Sequence, residues 1–243
     1  MKRFLAVAVM LCVAATLSSA DKCPQKCDKP ANDITEMVFI LDRSGSMGGL
    51  ESDTIGGFNS MIKEQKGKKG EAYVTTILFD NKVETLHNRL PIAKVKPITE
   101  KDYFVRGSTA LLDAVGSAVA KVDAARKDMA KKDIPAHTVF VITTDGLENA
   151  SKEYTTKAVK SLIEKHKKLG WEFVFIGANM DAVEAAGRIG IDRGNAVNYV
   201  NDGAGIGNVY KGVSKKLEAT RNGDADSPEW REDIDNDYNN RGK

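Results

Sequence analysis

Cysteine and histidine, the residues that most often build metal and redox sites, are scarce in this sequence. Its 243 residues include three cysteines and three histidines. Cys12 falls inside an N-terminal apolar run, which leaves Cys23 and Cys27 for the remainder of the chain. Two thiols without a second pair or a neighbouring histidine do not supply the usual four ligands of a zinc site. In an oxidising compartment we expect them to form a short local disulfide, which would add little stability.

A large excess of charge of either sign is also absent. The chain carries 36 Lys and Arg against 34 Asp and Glu, a formal net charge of +2 at pH 7. Lys2 and Arg3 account for this excess, so the chain beyond them is close to neutral. The composition therefore predicts no general attraction to nucleic acid. With 42% hydrophobic and 29% charged residues, it is typical of one globular domain.

The longest apolar run, residues 4–17, lies between Lys2-Arg3 and Ser18-Ser19-Ala20. A charged, an apolar and a small-residue segment in this order are typical of a secretory signal peptide. The run is shorter than the ~20 residues that span a bilayer, which disfavours the alternative of an uncleaved anchor. We therefore expect cleavage after Ala20 and a mature chain without a membrane span that is secreted, periplasmic or attached to the cell surface.

Residues 21–35 hold the cysteine pair and two prolines, lack apolar periodicity and are interpreted as an exposed lead-in. From residue 36, buried strands alternate with amphipathic helices, which predicts an α/β fold. We expect a Rossmann-like three-layer sandwich, with a mostly parallel sheet covered by helices on both faces. Residues 73–86, with a turn at Asp80-Asn81, predict one antiparallel edge strand. The domain is predicted to span 36–223, with a helix interrupted at Gly56-Gly57, and residues 224–243 to form a flexible acidic tail.

Oxygen-bearing side chains follow two of the predicted strands. The segment Asp42-Arg43-Ser44-Gly45-Ser46 comes directly after the apolar run 37–41, and Asp145 follows the run 138–142. Thr109 precedes an amphipathic helix. In an open α/β sheet these positions meet at the edge where ligands bind, and carboxylates and hydroxyls suit a hard divalent cation. Taken alone, an Asp-x-Ser-x-Ser turn is more often a helix cap, but the three separate segments favour one shared site.

This discontinuous motif resembles the metal-ion-dependent adhesion site, or MIDAS, of von Willebrand factor A (vWA) domains, such as those of secreted bacterial-type proteins. The resemblance implies a complete ligand set of Asp42, Ser44, Ser46, Thr109 and Asp145. It also implies a cell-adhesion or protein-binding module without catalytic activity, whose partner completes the metal shell with an Asp or Glu side chain. Five protein oxygens and one partner oxygen fit six-coordinate Mg²⁺ or Mn²⁺ better than Ca²⁺.

Other polar residues are predicted to lie near this edge. Arg43 would either flank the partner's carboxylate or remain a solvated loop arginine. Glu148 and Asn149 would line the rim or be ordinary loop residues. Asn179 and Asp181 follow another strand, and Asp181 is interpreted mainly as a helix cap.

The alternative function is a Mg²⁺-dependent hydrolase or phosphotransferase on a similar sheet. A serine hydrolase would need a base beside Ser44 or Ser46, and none of the three histidines, His87, His137 and His166, is predicted to lie there. The sequence around the serines also lacks the Gly-x-Ser-x-Gly pattern of a nucleophile elbow. Asp42 as a phosphorylated nucleophile would leave the two serines and the threonine without a common explanation.

Overall fold

The computed structural model describes residues 32–242. The predicted signal peptide and the predicted Cys23–Cys27 disulfide lie outside these residues. Among residues 32–242, no helix combines the length and apolar character needed to cross a bilayer. The strands of the described chain are β1 (Thr35–Asp42), β2 (Ala72–Phe79), β3 (Val83–Pro91), β4 (His137–Thr144), β5 (Trp171–Gly177) and β6 (Ala196–Asn198). The helices are α1 (Glu51–Lys66), α2 (Leu111–Lys127), α3 (Thr156–Lys167), α4 (Ala182–Arg188), α5 (Gly203–Arg221) and α6 (Glu232–Arg241).

The strands form one sheet in the order β3-β2-β1-β4-β5-β6. All neighbouring pairs are parallel except β2 and β3, which are antiparallel. Every residue of β1 is buried, and its side chains alternate between the two faces of the sheet. Phe39 packs in one core and Ile40 in the other. A central strand buried on both faces requires a near-continuous apolar run, which is why β1 lacks the polar alternation of an exposed strand.

Helices cover both faces, which confirms the predicted three-layer sandwich. Residues of α1, α5 and α6 pack into the core that contains Phe39, whereas those of α2, α3 and α4 pack into the core that contains Ile40. In the first core, the rings of Phe39 and Phe58 meet edge to face with centroids 5.3 Å apart. In the second, Phe140 stacks on Phe173 with centroids 4.8 Å apart. Such aromatic pairs stabilise the packing beyond the area they bury.

The predicted interruption at Gly56-Gly57 is wrong, because α1 runs unbroken from Glu51 to Lys66. A Cβ atom at position 57 would lie 2.2 Å from Cδ2 of Tyr210 on α5, so Gly57 lets the two helices approach closely. A Cβ atom at position 56 would have no atom outside the local helix within 4 Å. The two glycines therefore differ in role, although they are adjacent in sequence.

This difference is testable by two alanine substitutions. Gly57→Ala should destabilise the domain by about 1–3 kcal/mol, because the new methyl group displaces the Tyr210 ring. Gly56→Ala should be neutral or stabilising by up to about 1 kcal/mol, since alanine has the higher helix propensity and the site is open. Urea unfolding of both variants measures the effect. Equal changes in the free energy of unfolding would contradict the packing role of Gly57.

The expectation of a flexible tail from residue 224 is also wrong for the described residues. A 3-10 turn spans Pro228–Arg231 and leads into α6. Trp230 and Ile234 are buried in the core beside α5. A Cβ at Gly212 of α5 would lie 2.5 Å from the Trp230 carbonyl oxygen, so this glycine lets the C-terminal segment approach. Two apolar side chains thus pack against a small residue of the facing helix, although the composition of the segment is acidic.

Cations on α5 compensate the acidity of this segment. Lys211 and Lys215 each place their Nζ atoms 2.9 Å from Oδ2 of Asp233. Their hydrogen bonds lower the pKa of Asp233 to about 2. Asp233 thus forms ion pairs with α5, while Asp235 and Asp237 pair with arginines of their own segment.

Candidate metal centre

The five predicted ligand residues lie on three segments at the C-terminal edge of the sheet. Asp42 ends β1, and Asp145 follows β4, which is the parallel neighbour of β1. The turn after β1 carries Ser44 and Ser46, and Thr109 lies in the loop before α2. Because β1 and β4 run in parallel and in register, their C-terminal ends deliver both aspartates to the same place.

The structure brings all five residues together, four of them in one continuous network of oxygen atoms. Thr109 Oγ1 lies 3.1 Å from Ser44 Oγ, which lies 3.1 Å from Ser46 Oγ. Ser46 Oγ in turn donates to Asp145 Oδ1 at 2.5 Å. Asp42 joins through its Oδ1, which accepts a hydrogen bond from the Ser44 amide at 2.7 Å. The five side chains therefore lie at one place, although they come from three separate segments.

Asp42 and Asp145 are almost fully buried, whereas Ser46 is exposed. Burial raises the pKa of Asp42, hydrogen bonds from Thr144 and Ser44 oppose this rise, and the nearby Asp145 carboxylate adds to it. A bound positive charge would offset the burial of Asp42 and its repulsion by the neighbouring carboxylate, so the site favours a cation. Ser46 marks the side of the network that faces solvent.

The donor set fits a six-coordinate divalent ion. In an octahedral shell with metal–oxygen distances of about 2.0–2.1 Å, neighbouring oxygens lie about 2.9 Å apart. The oxygen–oxygen distances in the network are 2.5 and 3.1 Å, which bracket this value. Within the described chain, no three His, Cys, Asp or Glu residues are grouped as a conventional metal site. The centre differs from such sites because three of its five donor residues carry neutral hydroxyls.

Glu148 and Asn149 support the site. Asn149 Oδ1 accepts a hydrogen bond from the Thr109 amide at 2.9 Å and so orients this residue. Glu148 Oε2 accepts from the Leu112 amide at 2.8 Å, which caps the first turn of α2 from outside the helix. Its other contacts are with the backbone and side chain of its own loop. Both residues therefore fix the loop after Asp145 against the segment that carries Thr109.

Arg43 adopts neither of the two roles predicted for it. Its side chain is 1% exposed, and its Nε lies 2.9 Å from Oδ2 of Asp80. Its Nη2 lies 2.8 Å from Glu84 Oε2, and Arg106 contacts the same two carboxylates. Burial raises the pKa of Asp80. Hydrogen bonds and the positive charges of both arginines lower it by more, so the net effect is a decrease. The ion pairs anchor the turn between Asp42 and Ser44 to the β2–β3 hairpin.

The sequence predicted Asp80 as a turn residue but not its pairing with Arg43. Asn201 was not predicted either, although its Nδ2 donates to Asp145 Oδ2 at 3.2 Å. The available signal was position, because Asn201 follows a strand that ends at the same edge. Asn179 Nδ2 lies 3.4 Å from the Asp145 carbonyl oxygen. The predicted cap is confirmed, since Asp181 Oδ1 accepts from the Glu184 amide at the start of α4.

Comparison with known proteins adds information at the level of the fold. No protein-family model matches the chain, and no curated protein matches it. Among solved structures, the chain is similar to a point mutant of the PilB minor pilin from Streptococcus sanguinis, with a TM-score of 0.55 and 11% identity. That match covers 78% of this chain and 62% of the pilin.

Two further structures align with 77% of this chain. One is proximal thread matrix protein 1 from the mussel byssus with a zinc-occupied MIDAS motif (TM-score 0.51, 16% identity). The other is a von Willebrand factor type A protein from Catenulispora acidiphila (TM-score 0.51, 13% identity). The chain spans less than half of either structure, 46% and 43% respectively. At these identities the likeness shows the fold, which is that of vWA domains.

Proposed function

We propose that this chain is a secreted, metal-dependent binding module. Its bound metal ion is coordinated by an Asp or Glu side chain of a partner protein. The observation that carries the proposal is the continuous network of oxygens from Thr109 through Ser44 and Ser46 to Asp145, with Asp42 beside it. Mg²⁺ is the preferred ion and Mn²⁺ the next, because the network has the oxygen donors and the spacing that these ions require.

Each residue has a distinct part in this proposal. Asp42 and Asp145 balance the charge of the ion, and Ser44, Ser46 and Thr109 provide neutral oxygens. The bound ion supplies a positive charge that attracts an external carboxylate. Since Ser46 is the exposed donor, the partner approaches from its side of the network.

The similar structures support this role. Mussel proximal thread matrix protein 1 holds zinc in its MIDAS motif, and PilB is a minor pilin. Both descriptions are compatible with a metal-dependent adhesion module. The segment before the domain supports secretion, because residues 1–20 have the order of a signal peptide.

The positions of the histidines favour binding over serine hydrolysis. His87 Nδ1 lies 3.0 Å from Thr76 Oγ1 on the neighbouring strand. His166 is buried on α3, where its Nε2 lies 3.2 Å from Asp123 Oδ1. His137 begins β4 and so lies at the sheet edge opposite to Asp145. Each histidine is therefore placed away from the serines, which would need it as a base.

Metal binding is tested by calorimetric titration and by thermal unfolding. We expect one saturable Mg²⁺ site per chain. At Mg²⁺ concentrations about 100-fold above the dissociation constant, the melting temperature should rise by about 5–10 °C relative to metal-free protein, because the ion binds the folded state. NaCl at matched ionic strength is the control. If neither Mg²⁺ nor Mn²⁺ shows saturable binding, the proposal is overturned.

Carboxylate recognition is tested with an acetylated and amidated glycine peptide that contains one Asp. Its binding to the Mg²⁺-loaded protein should be seen as shifts of backbone NMR signals around Ser46 and should disappear with EDTA. The same peptide with Asn in place of Asp should not bind. Mg²⁺-dependent turnover of phosphate esters would instead support the alternative of a hydrolase or phosphotransferase.

A further inference from the structure

An apolar groove of about 200 Å³ lies beside the candidate metal centre. It is formed by the start of α2, the end of α4 and the loops after β4 and β5. Its large apolar side chains are Leu111, Leu112, Leu147, Met180 and Ile189. The volume is below the range of about 300–1,000 Å³ that is typical of small-molecule sites. The groove therefore suits a single side chain rather than a whole small molecule.

Gly146 joins the groove to the metal centre. It lines the groove and directly follows the predicted ligand Asp145. A Cβ atom at position 146 would lie 3.0 Å from Thr109 Oγ1 and 3.3 Å from Ser46 Oγ. Since consecutive Cα atoms are about 3.8 Å apart, the Cα atom of Leu147 lies within about 8 Å of that of Asp145. A partner residue within a few positions of the metal-bound carboxylate can therefore reach the groove.

Leu147 leaves much of its apolar surface in solvent at this place. Among the described residues, the large hydrophobic side chains that are exposed are Phe104, Leu147 and Leu169. The ring of Phe104 lies against the guanidinium groups of Arg43 and Arg106. Leu169 precedes β5 at the opposite edge of the sheet, and single exposed apolar residues of this kind are common. Leu147 differs, because its side chain is 63% exposed and lines an apolar groove beside the metal centre.

The charged side chains of the groove are paired within the chain. Both carboxylate oxygens of Glu148 accept hydrogen bonds, from its own loop and from the Leu112 amide. Arg188 Nη2 donates to Glu184 Oε1 at 2.6 Å. Because both charges are compensated in this way, the groove attracts neither a cation nor an anion. Burial of apolar surface is its main contribution to binding.

We propose that this groove binds a large apolar side chain of the same partner that presents its carboxylate to the metal. The inference rests on the proposed function and extends it, since it assigns the partner an acidic residue with an apolar residue within a few positions. Continuity with the metal centre identifies the occupant, because a partner held at the ion covers the surface next to it. Filling the groove and covering Leu147 removes apolar surface from water, which strengthens binding and selects among acidic partners.

The test compares peptides that differ in one side chain. The probes are acetylated and amidated glycine peptides with one Asp and, one to three positions before or after it, either Leu or Asn, which are similar in size. With Mg²⁺-loaded protein, we expect the best Leu peptide to bind about ten-fold more tightly than its Asn counterpart. EDTA should abolish the binding of both, because the metal is needed to hold the carboxylate.

Two serine substitutions at equally exposed leucines locate the effect. Leu147→Ser should reduce the preference for Leu to about three-fold or less, because it removes one apolar side of the groove. Leu169→Ser makes the same change at a side chain that is 62% exposed at the opposite edge, and it should preserve the ten-fold preference. Calorimetry of Mg²⁺ alone should give the same affinity for wild type and for both variants.

The outcomes separate this inference from the proposed function. Equal binding of Leu and Asn peptides at every spacing would overturn the inference, and so would equal effects of the two serine substitutions on the preference. Mg²⁺-dependent binding of the Asp peptide would still uphold the proposed function in either case. Absence of Mg²⁺ binding would instead overturn both.

Discussion

Asp145→Ala should weaken Mg²⁺ binding by about 30-fold or more, because it removes one of two carboxylates that balance the charge of the ion. The fold should survive. The substitution leaves Ser46 Oγ and Asn201 Nδ2 without their acceptor, but it also relieves the repulsion between Asp145 and Asp42. Calorimetric titration measures the affinity, and circular dichroism verifies the fold.

Graded variants make this prediction specific to the ligand set. Ser44→Ala, Ser46→Ala and Thr109→Ala should each weaken binding less than Asp145→Ala, since water can replace a neutral hydroxyl. Asp42→Asn should weaken it as much as Asp145→Ala while keeping the shape of the side chain that contacts Thr144. If wild type and both aspartate variants bind Mg²⁺ equally, these carboxylates are not metal ligands.

Asp80→Ala should destabilise the domain by about 3–5 kcal/mol, because it leaves the buried guanidinium of Arg43 without its main partner. Asp80 is fully buried, and Arg43 and Arg106 both contact its Oδ2. The matched control is Glu84→Ala. Glu84 pairs with the same two arginines but is 50% exposed, so its loss should cost less than about 1 kcal/mol. Urea unfolding at pH 7 compares the two variants.

The acid dependence of stability provides a second readout of the same ion pairs. Because the folded-state pKa of Asp80 is below its ordinary value, its contribution is fully present above the unfolded pKa of about 3.9. It is lost as the pH falls through the lower, folded-state value. Wild type should therefore lose more stability than Asp80→Asn between about pH 4 and pH 2. Parallel curves for the two proteins, or equal effects of Asp80→Ala and Glu84→Ala, would contradict a structural role for this buried pair.

Features that depend on neighbours along the chain were predicted from the sequence, whereas features that depend on contacts between distant segments were not. The apolar runs of β1 and β4 predict buried parallel strands, and with them the edge at which Asp42 and Asp145 meet, because burial on both faces leaves a clear compositional signal. Acidic composition predicted a tail instead of α6, because composition carries no information about the lysines on α5 that pair with Asp233.

The sequence by itself determined the α/β architecture and the identity of the five oxygen-bearing residues, since hydrophobic runs and strand-end motifs depend on neighbours along the chain. The tertiary structure alone decided that Arg43 is buried against Asp80, that Gly57 faces Tyr210 and that Asn201 contacts Asp145. Each of these contacts joins segments that are distant in sequence. Which residues meet there depends on how the strands and helices pack against one another. For this reason the set of oxygen-bearing residues that meet at this edge was predictable from the sequence, whereas the ion pairs that support it were not.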